Sequence, residues 1–505
     1  MYRDAAPDHE VVIVGTGFSG VGMGANLKRS GNDDFVILEK AESIGGTWRE
    51  NHYPGCACDV QSHLYSFSFA KNPGWSRMFA PQDEIRTYLE RTAFEGGLGP
   101  HIRFGAAFTG AEWDPAHGLW EITVNGSETI TARALVSGAG GLHIPSIPEL
   151  PGIGSFEGES WHSAEWNHDY DLEGKRVAVI GTGASAIQFV PQIAGKVASL
   201  DLYQRTAPWV IPKPDREVGA RERRLYRRFP LLQGLYRQLL WLQYELRGVA
   251  FTVEPRILRI GEKLAAKHIH DQISDPELRR KVTPDYRMGC KRVLISDDYY
   301  PALDRDNVDV LTGGIAEVRA DSIVGDDGVE RPVDAIIYGT GFRIHDMGRA
   351  LNVTGRDGVE LGELWEREGM TAHRGTTVAG FPNLFILQGP NVGLAHSSMI
   401  YMIESQITYV MAALRTMRDR GLRAMEPRSE AQAAYNEWLQ DQLGDSIWSN
   451  GGCRSWYLDD SGRNTTLWPT FTFRFRQQTA TFKPEEYVLE PHPAPAPEQP
   501  APAAT

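Results

Sequence analysis

The chain has 505 residues, enough for about three domains of average size. Hydrophobic residues make up 41% of it and 52 residues are glycine, a composition typical of globular proteins that excludes collagen-like, disordered and disulfide-scaffold classes. The formal net charge is −13, so nucleic acid and anionic membranes are not expected as the main partners.

Targeting signals and metal motifs are not evident in the sequence. The N-terminal residues MYRDAAPDHE lack the apolar core of a secretory signal, and the four cysteines lack zinc-ligand spacing. We therefore expect a reduced, cytoplasmic protein with no metal site. The longest apolar stretch, Phe229 to Phe251, contains Arg237, Glu245 and Arg247, and these charges predict an amphipathic helix rather than a membrane span.

A dinucleotide-binding pattern begins at the first predicted strand. An apolar strand at residues 11–14 runs into a glycine turn and a helix at 21–29, and a second strand at 35–38 ends in an acid. The glycines permit a tight bend, close approach of the backbone to a pyrophosphate and packing of helix on strand, while the acid binds ribose hydroxyls. The residues predicted to form this site are Gly15, Gly17, Gly20 and Glu39.

The same order of elements returns at residues 175–203, with Ala186 as a tolerated variant of the third glycine. After its second strand an arginine stands where an acid is usual. Arginine suits a 2′-phosphate, which a carboxylate would repel. One acid-type site and one arginine-type site predict FAD and NADPH as the two cofactors. The residues predicted to form the second site are Gly181, Gly183, Ser185, Arg205 and Thr206.

The remaining segments complete an α/β protein with two Rossmann-like dinucleotide-binding domains and an inserted helical subdomain. Strands at 335–338 and 384–387 are expected to return to the first fold and complete it. The predicted boundaries are 1–150 for the first part of the FAD-binding domain, 151–213 with 281–330 for the NADPH-binding domain, 214–280 for the helical insert, 331–450 for the return of the FAD-binding domain, 451–491 for a C-terminal segment, and 492–505 for a disordered tail rich in Pro and Ala.

Three further stretches carry a family resemblance. They are Gly45–Asp59, Phe156–Asn167 and Gly289–Tyr300. Together they resemble the Baeyer–Villiger monooxygenases, the class B flavoprotein monooxygenases that use FAD and NADPH. The resemblance extends from about residue 9 to residue 476 and departs from the family pattern at Asn167 and at Arg343.

The resemblance implies a reaction. NADPH reduces FAD, O2 adds to the flavin C4a position, and the resulting peroxyflavin attacks a small-molecule ketone to give an ester or lactone. Arg292 stands at the position of the family's catalytic arginine, and Asp59 at that of the carboxylate that positions it. A fixed cation at this point stabilises the anionic peroxide and the anionic adduct.

The resemblance also assigns residues to the cofactors and to the joint between domains. Trp456 is expected to close over the nicotinamide, and His162 to couple the two cofactor domains rather than to act as a general base. The residues added to the cofactor sites are Gly46, Thr47, Trp48, Asp59, Lys291, Asn391 and Trp456, and those of the interdomain fingerprint are Phe156, Gly158, His162 and Trp166.

Cys56 and Cys58 are expected to be two packed thiols, because a gap of one residue strains a disulfide. Two other flavin-dependent activities remain open. The first is oxygenation of nitrogen or sulfur, whose sister family has Tyr or Phe at the position of Trp166. The second is a flavin reductase or NADPH oxidase, which would consume NADPH without an oxygenated product.

Overall fold

The largest sheet in the described residues forms the first dinucleotide fold. The computed structural model describes residues 6–444, 446–453 and 455–492. Strand His9–Val14 pairs in parallel with Phe35–Leu38 on one side and with Glu128–Ser137 on the other, because its buried run of valine and isoleucine suits the middle of a parallel sheet. In the described residues this sheet has eight strands, in the spatial order Val353–Thr354, Phe108–Asp114, Leu119–Val124, Glu128–Ser137, His9–Val14, Phe35–Leu38 and Ile102–Arg103, with Leu384–Ile386 paired to Glu128–Ser137.

The second sheet forms the second dinucleotide fold and is parallel throughout. Within the same part of the chain it has five strands, in the spatial order Val308–Leu311, Ser199–Tyr203, Arg176–Ile180, Ala335–Tyr338 and Glu159–His162. The expectation that both later strands return to the first fold is therefore wrong for Ala335–Tyr338. This strand lies between Arg176–Ile180 and Glu159–His162, whereas Leu384–Ile386 does join the first sheet.

Helices cover both sheets. In the first fold, Phe18–Arg29 follows the glycine turn and packs against Met399–Arg420. In the second fold, Ala186–Ile193 follows the glycine turn and packs against Tyr299–Leu303. The other helices of the two folds and of the C-terminal region are Thr47–Glu50, Gln82–Glu95, Met347–Leu351, Leu361–Glu368, Ser429–Gly444, Ile447–Asn450 and Thr472–Thr479.

The arginine- and leucine-rich stretch is helical. Its helices are Ala220–Arg228, Pro230–Thr252, Leu258–Gln272 and Pro276–Val282. No helix in the described part of the chain is long and apolar enough to cross a membrane. Three small sheets complete the fold: Ile315–Val318 with Ser322–Gly325 and Glu330–Pro332, Val210–Ile211 with Leu294–Ile295, and Leu422–Pro427 with Tyr487–Pro491. Apart from His492, the tail predicted at 492–505 lies outside the described residues.

Candidate active site

The first glycine turn has the geometry that its residue types require. Gly15 has φ +91°, a conformation that favours glycine. A Cβ on Gly20 would lie 1.8 Å from the Gly15 carbonyl oxygen, so only glycine lets the helix start this close to the strand. The Cβ position of Gly17 meets nothing nearer than the Gly46 Cα, at 3.7 Å. The middle glycine thus leaves a cradle of the kind that a pyrophosphate fills.

Glu39 stands at the end of the second strand, as predicted, and its carboxylate is held in place. Its Oε2 accepts hydrogen bonds from the Thr16 amide at 2.9 Å and the Thr16 hydroxyl at 2.6 Å. Its Oε1 accepts from Arg49 Nη1 at 3.0 Å. The carboxylate is therefore fixed beside the glycine turn, where an acid can bind ribose hydroxyls.

The Gly-Gly-Thr-Trp stretch packs directly on that turn. Gly46 has φ +52°, and a Cβ on it would lie 2.8 Å from the Gly17 Cα. Thr47 then begins a short helix. Trp48 is buried, and its indole nitrogen donates to the Tyr65 hydroxyl at 3.1 Å. These residues line the same side of the turn as the cradle at Gly17.

In the second glycine turn, a glycine outside the motif allows the chain segments to pack closely. Gly181 has φ +104°, and a Cβ on it would lie 2.5 Å from the Gly339 carbonyl oxygen. Ala186 replaces the third glycine of the motif. The close packing here depends instead on Gly339, because a Cβ on Gly339 would lie 3.2 Å from the Cβ of Ala186. The Cβ position of Gly183 meets nothing nearer than the Gly339 carbonyl oxygen, at 3.7 Å, and Ser185 stands at the N-cap position of helix Ala186–Ile193 without a capping hydrogen bond from its side chain. Sequence reasoning missed Gly339, which the motif does not include.

A cavity of about 540 Å³ lies beside the second fold and concentrates positive charge. Arg205, Thr206 and Lys291 line it, as expected for a 2′-phosphate site. Sequence reasoning missed Arg280 and Lys281, which also line it and come from the end of the helical insert. Burial, and then the nearby charge of Arg205, lower the pKa of Lys291, while Asp285, which also lines the cavity, opposes this shift.

Arg292 and Asp59 form the ion pair at the centre of the candidate site. Arg292 Nε and Nη2 both donate to Asp59 Oδ2, at 2.9 and 2.6 Å. The charge of Asp59 raises the pKa of Arg292, so the guanidinium stays charged at every pH at which the protein folds. The two side chains are a third and a quarter exposed. They are thus reachable by a small molecule.

The loop before Asp59 belongs to the first fold but is anchored on the second. The Gln188 side chain donates to the Ala57 carbonyl at 3.0 Å and accepts from the Tyr53 hydroxyl at 3.0 Å. A Cβ on Gly55 would lie 2.7 Å from the Gln188 carbonyl oxygen. Gln188 lies in the helix that follows the second glycine turn. The loop therefore fixes Asp59 at the junction of the two folds.

The thiols of this loop are free and inert. Among the described cysteines, Cys56 and Cys58 are free and buried. Burial raises the pKa of Cys56 to about 12 and that of Cys58 further. Because the thiolate is the reactive form of cysteine, neither thiol is activated. This agrees with the expected packing role.

The fingerprint residues lie at the edge of the second sheet. His162 is completely buried; its Nδ1 accepts a hydrogen bond from the Ala164 amide at 3.1 Å. Burial lowers the pKa of His162, so the ring is neutral and already engaged. Gly158 allows contact with Phe156, since its Cβ would lie 2.5 Å from that ring. Trp166 packs at 5.2 Å on Phe189 of the helix that carries Gln188.

The C-terminal segment is tied to the site by a disulfide that sequence reasoning missed. Cys290 and Cys453 are bonded across 163 residues, and Cys453 borders the cationic cavity. Trp456 is 45% exposed. The next residue, Tyr457, is fully buried and lies within the electrostatic reach of Arg292. Burial raises the pKa of Tyr457 to about 12, which keeps its phenol protonated.

The side-chain amide of Asn391 is hydrogen-bonded to the C-terminal segment. Its amide group donates to the carbonyls of Asn464 and Leu467, at 2.8 and 3.1 Å. Both amide hydrogens are thus used to hold the C-terminal segment, so Asn391 is placed to position that segment rather than to donate to a cofactor. The two departures from the family pattern are local: Asn167 closes a turn onto the Asp169 amide, and Arg343 is exposed and lies 4.0 Å from Asp346.

Two sequence profiles match parts of the chain. The NAD(P)-binding Rossmann-like domain matches residues 13–81, which hold the first glycine turn and Asp59. The L-lysine 6-monooxygenase/L-ornithine 5-monooxygenase family matches residues 58–213, which hold the second glycine turn.

Full-length relatives are similar over nearly the whole chain. A Baeyer–Villiger monooxygenase of Pseudomonas aeruginosa is 54% identical over 96% of this chain and 92% of its own. One of Streptomyces coelicolor is 51% identical over 96% of this chain and 93% of its own.

Solved structures show the same fold. OTEMO in complex with FAD and NADP is 26% identical, covers 96% of this chain and 100% of its own, and superimposes with a TM-score of 0.85. Cyclohexanone monooxygenase from Rhodococcus sp. Phi1 bound to NADP+ is 27% identical, with the same coverage and a TM-score of 0.85.

Proposed function

Because the chain belongs to the Baeyer–Villiger monooxygenases, we propose that it inserts one oxygen atom of O2 into a ketone bound beside Arg292, giving an ester or lactone. The enzyme is a flavin monooxygenase that uses FAD and NADPH. When bound, FAD supplies the activation of O2, and NADPH supplies the electrons that this activation needs. What the chain itself contributes is binding, orientation and charge.

The observation that carries the proposal is the Arg292–Asp59 pair. Attack on a ketone carbonyl places negative charge on the carbonyl oxygen, and a preorganised cation at that point stabilises it most in a site shielded from water. Asp59 takes the Nε and Nη2 donors of Arg292. We assign the Nη1 donors to the substrate oxygen. Asp59 is thereby a positioning residue, and Arg292 is the catalytic one.

We assign the two dinucleotides to the two glycine turns. FAD would lie on Gly15, Gly17 and Gly20 with a ribose at Glu39. NADPH would lie on the turn at residues 181–186 with its 2′-phosphate in the cationic cavity. Support comes from the four cations, Arg205, Arg280, Lys281 and Lys291, that are among the described residues lining the cavity, since phosphate is recognised by such clusters. Trp456 remains our proposal for the side chain that closes over the nicotinamide.

We also propose a cytoplasmic location, where NADPH is available. Thiols in that compartment are kept reduced. The Cys290–Cys453 disulfide would then be exposed to cellular reductants, and its state is a measurable property of the enzyme as it is isolated.

The test is aerobic turnover of the purified holoenzyme with NADPH and a panel of cyclic, aryl and linear ketones, with amines and sulfides supplied in parallel. Products are identified by mass spectrometry, with NADPH consumption and peroxide release measured in parallel. The proposal expects an ester or lactone formed in step with NADPH consumption. Oxygenated amines or sulfides with no reaction of ketones would assign the chain to nitrogen or sulfur oxygenation instead. NADPH loss that yields only peroxide would indicate an oxidase.

A further inference from the structure

The helix Pro230–Thr252 buries charged residues beside Leu240 and Tyr244 and leaves leucines exposed to solvent. Its buried face carries the polar residues: Arg237 and Glu245 are each only 4% exposed. Its solvent face carries leucine: Leu235, Leu239 and Leu246 are 66, 61 and 63% exposed. Large apolar side chains gathered on an exposed surface mark an interaction site.

The buried charges explain the orientation of this helix. Arg237 lies 3.5 Å from Glu404 and donates to the Ser66 carbonyl at 3.1 Å. Glu245 accepts hydrogen bonds from the Thr472 amide and hydroxyl. Each charge is paired inside the protein, so turning the helix to bury its leucines would break these bonds and leave charges unpaired. The outward leucines are therefore a fixed property of the fold.

The exposed leucines form one continuous strip. Their spacing alternates between three and four residues, which keeps them on one side of the helix. Further exposed apolar side chains lie in the segments just before and after this helix. Of the 21 large exposed hydrophobic side chains in the described residues, twelve lie here, and we call them the leucine face: Leu225, Phe229, Leu231, Leu232, Leu235, Leu239, Leu242, Leu246, Val253, Ile257, Ile260 and Leu264.

The segment that carries the leucine face is rich in positive charge although the chain as a whole is acidic. Residues 220–270 contain eleven lysines and arginines against four glutamates, an excess of seven positive charges, in a chain with a formal net charge of −13. Arg227 and Arg228, both exposed, end the helix that leads into Phe229. Arg256 is also exposed, with 85% of its side chain accessible.

From these observations we infer that the leucine face docks the protein on a lipid bilayer that contains anionic lipids. The helix Pro230–Thr252 lies in the plane of the interface, with its leucines inserted among the acyl chains and the surrounding arginines on lipid headgroups. An exposed apolar face combined with basic residues is the combination that binds anionic membrane surfaces without spanning them.

Charge favours a bilayer over a second copy of the chain. A two-fold dimer through the leucine face would bring two equal faces together, each with an excess of seven positive charges. Like charges facing each other oppose association, whereas an anionic bilayer is complementary to them. This inference does not depend on the reaction that the enzyme catalyses, so it is tested without a substrate.

The test is co-sedimentation of the FAD-loaded enzyme with vesicles, comparing phosphatidylcholine alone with a mixture of phosphatidylcholine and phosphatidylglycerol. We expect the wild type to bind the mixed vesicles and to be released by salt. L235Q/L239Q/L246Q should weaken this binding by at least about 100-fold, because the inserted apolar area is lost. The matched control, F94Q/V329Q/V359Q, changes exposed apolar residues elsewhere and should bind like the wild type.

A charge variant gives an independent test should the glutamine variant fail to fold. R227E/R228E should lose its preference for phosphatidylglycerol and keep the weak binding to phosphatidylcholine alone. The inference is overturned if the wild type ignores mixed vesicles, or if the glutamine variant binds them as tightly as the wild type. It is equally overturned if light scattering shows a dimer that the glutamine variant disrupts while neither protein binds vesicles.

Discussion

Arg292 and Asp59 are 233 residues apart in the sequence, and Arg292 Nη2 lies 2.6 Å from Asp59 Oδ2. Asp59 ends a loop of the first dinucleotide fold that Gln188 of the second fold holds in place. The distance between the Arg292 and Asp59 side chains therefore depends on the relative position of the two dinucleotide folds. Any substitution that separates them should move Arg292, the proposed catalytic cation, from its place without unfolding either sheet.

Arg292→Ala should lower kcat for ketone oxygenation by about 10²–10³-fold, because a preorganised donor to the substrate oxyanion is lost. Its KM for NADPH should change little. Arg256→Ala, at an exposed arginine of the insert, is the control and should behave as the wild type. Steady-state kinetics with product detection measure both values, and an Arg292→Ala variant of normal kcat would remove this residue from the mechanism.

Asp59→Asn should retain the charge of Arg292 but loosen its position. We expect a fall in kcat of about tenfold, smaller than for Arg292→Ala, with more peroxide released per NADPH consumed. Peroxide yield separates a positioning role from a purely structural one. An equal loss in folding stability and activity, with unchanged peroxide yield, would show that Asp59 only supports the fold.

Arg205→Ala should raise KM for NADPH by about 10–100-fold and leave KM for NADH almost unchanged, because only NADPH carries the 2′-phosphate. Arg280→Ala and Lys281→Ala test the two cations that line the same cavity and should shift the preference in the same direction. An equal rise in KM for NADPH and for NADH would show that the 2′-phosphate binds elsewhere.

The binding of NADPH should weaken as pH rises. Burial and Arg205 lower the pKa of Lys291, so in the free enzyme this ammonium loses its proton at a lower pH than an ordinary lysine. Above that pKa, binding of the phosphate must take up a proton, and KM for NADPH rises. Lys291→Arg should flatten the profile, because arginine stays charged. Initial rates across alkaline pH, with NADH as the control cofactor, measure the effect.

Reduction of Cys290–Cys453 should loosen the C-terminal segment over the cationic cavity, since Cys453 borders that cavity. We expect Cys453→Ser to raise KM for NADPH by a few fold and to lower stability by about 2–4 kcal/mol. A dithiol should do the same to the wild type and nothing further to the variant. Thiol counting under denaturing conditions shows whether the isolated enzyme holds the disulfide. An unchanged KM for NADPH would show that the disulfide does not affect cofactor binding.

Gly20→Ala should abolish FAD binding, because its Cβ would overlap the Gly15 carbonyl oxygen at 1.8 Å. Gly154→Ala is the matched control, since a Cβ there meets nothing within 4 Å. Flavin absorbance of the purified proteins gives the occupancy. A yellow, fully loaded Gly20→Ala variant would contradict the assignment of FAD to the first turn.

Sequence patterns predicted the local geometry of the two glycine turns better than the long-range assembly of the chain. Both glycine turns, Glu39 and Arg205 follow from spacing and residue type alone. The motif does not include Gly339. This glycine lies against Gly181 and Ala186 because the strand before it pairs with the strand before the second glycine turn. The sequence also predicts the wrong sheet for the apolar strand Ala335–Tyr338. An apolar run indicates a buried strand but does not specify which strands it pairs with.

The missed residues come from distant segments. Arg280 and Lys281 lie in a helix of the insert, far along the chain from Arg205, and only the fold brings them into one cavity. The helix Pro230–Thr252 shows a second reason why the sequence alone does not predict the whole structure. Its charges predict an amphipathic helix, but hydrophobicity alone does not predict that leucines face solvent while Arg237 lies buried beside Glu404 and Glu245 lies buried on Thr472.

The central claim is that one oxygen atom from O2 is inserted into a ketone, and isotope labelling tests it most directly. The holoenzyme is supplied with NADPH, a ketone substrate and O2 enriched in ¹⁸O, and the product is analysed by mass spectrometry. The account predicts an ester or lactone that carries a single ¹⁸O atom, and a greatly reduced yield with Arg292→Ala. An unlabelled product, or labelled peroxide with no ester, would contradict it.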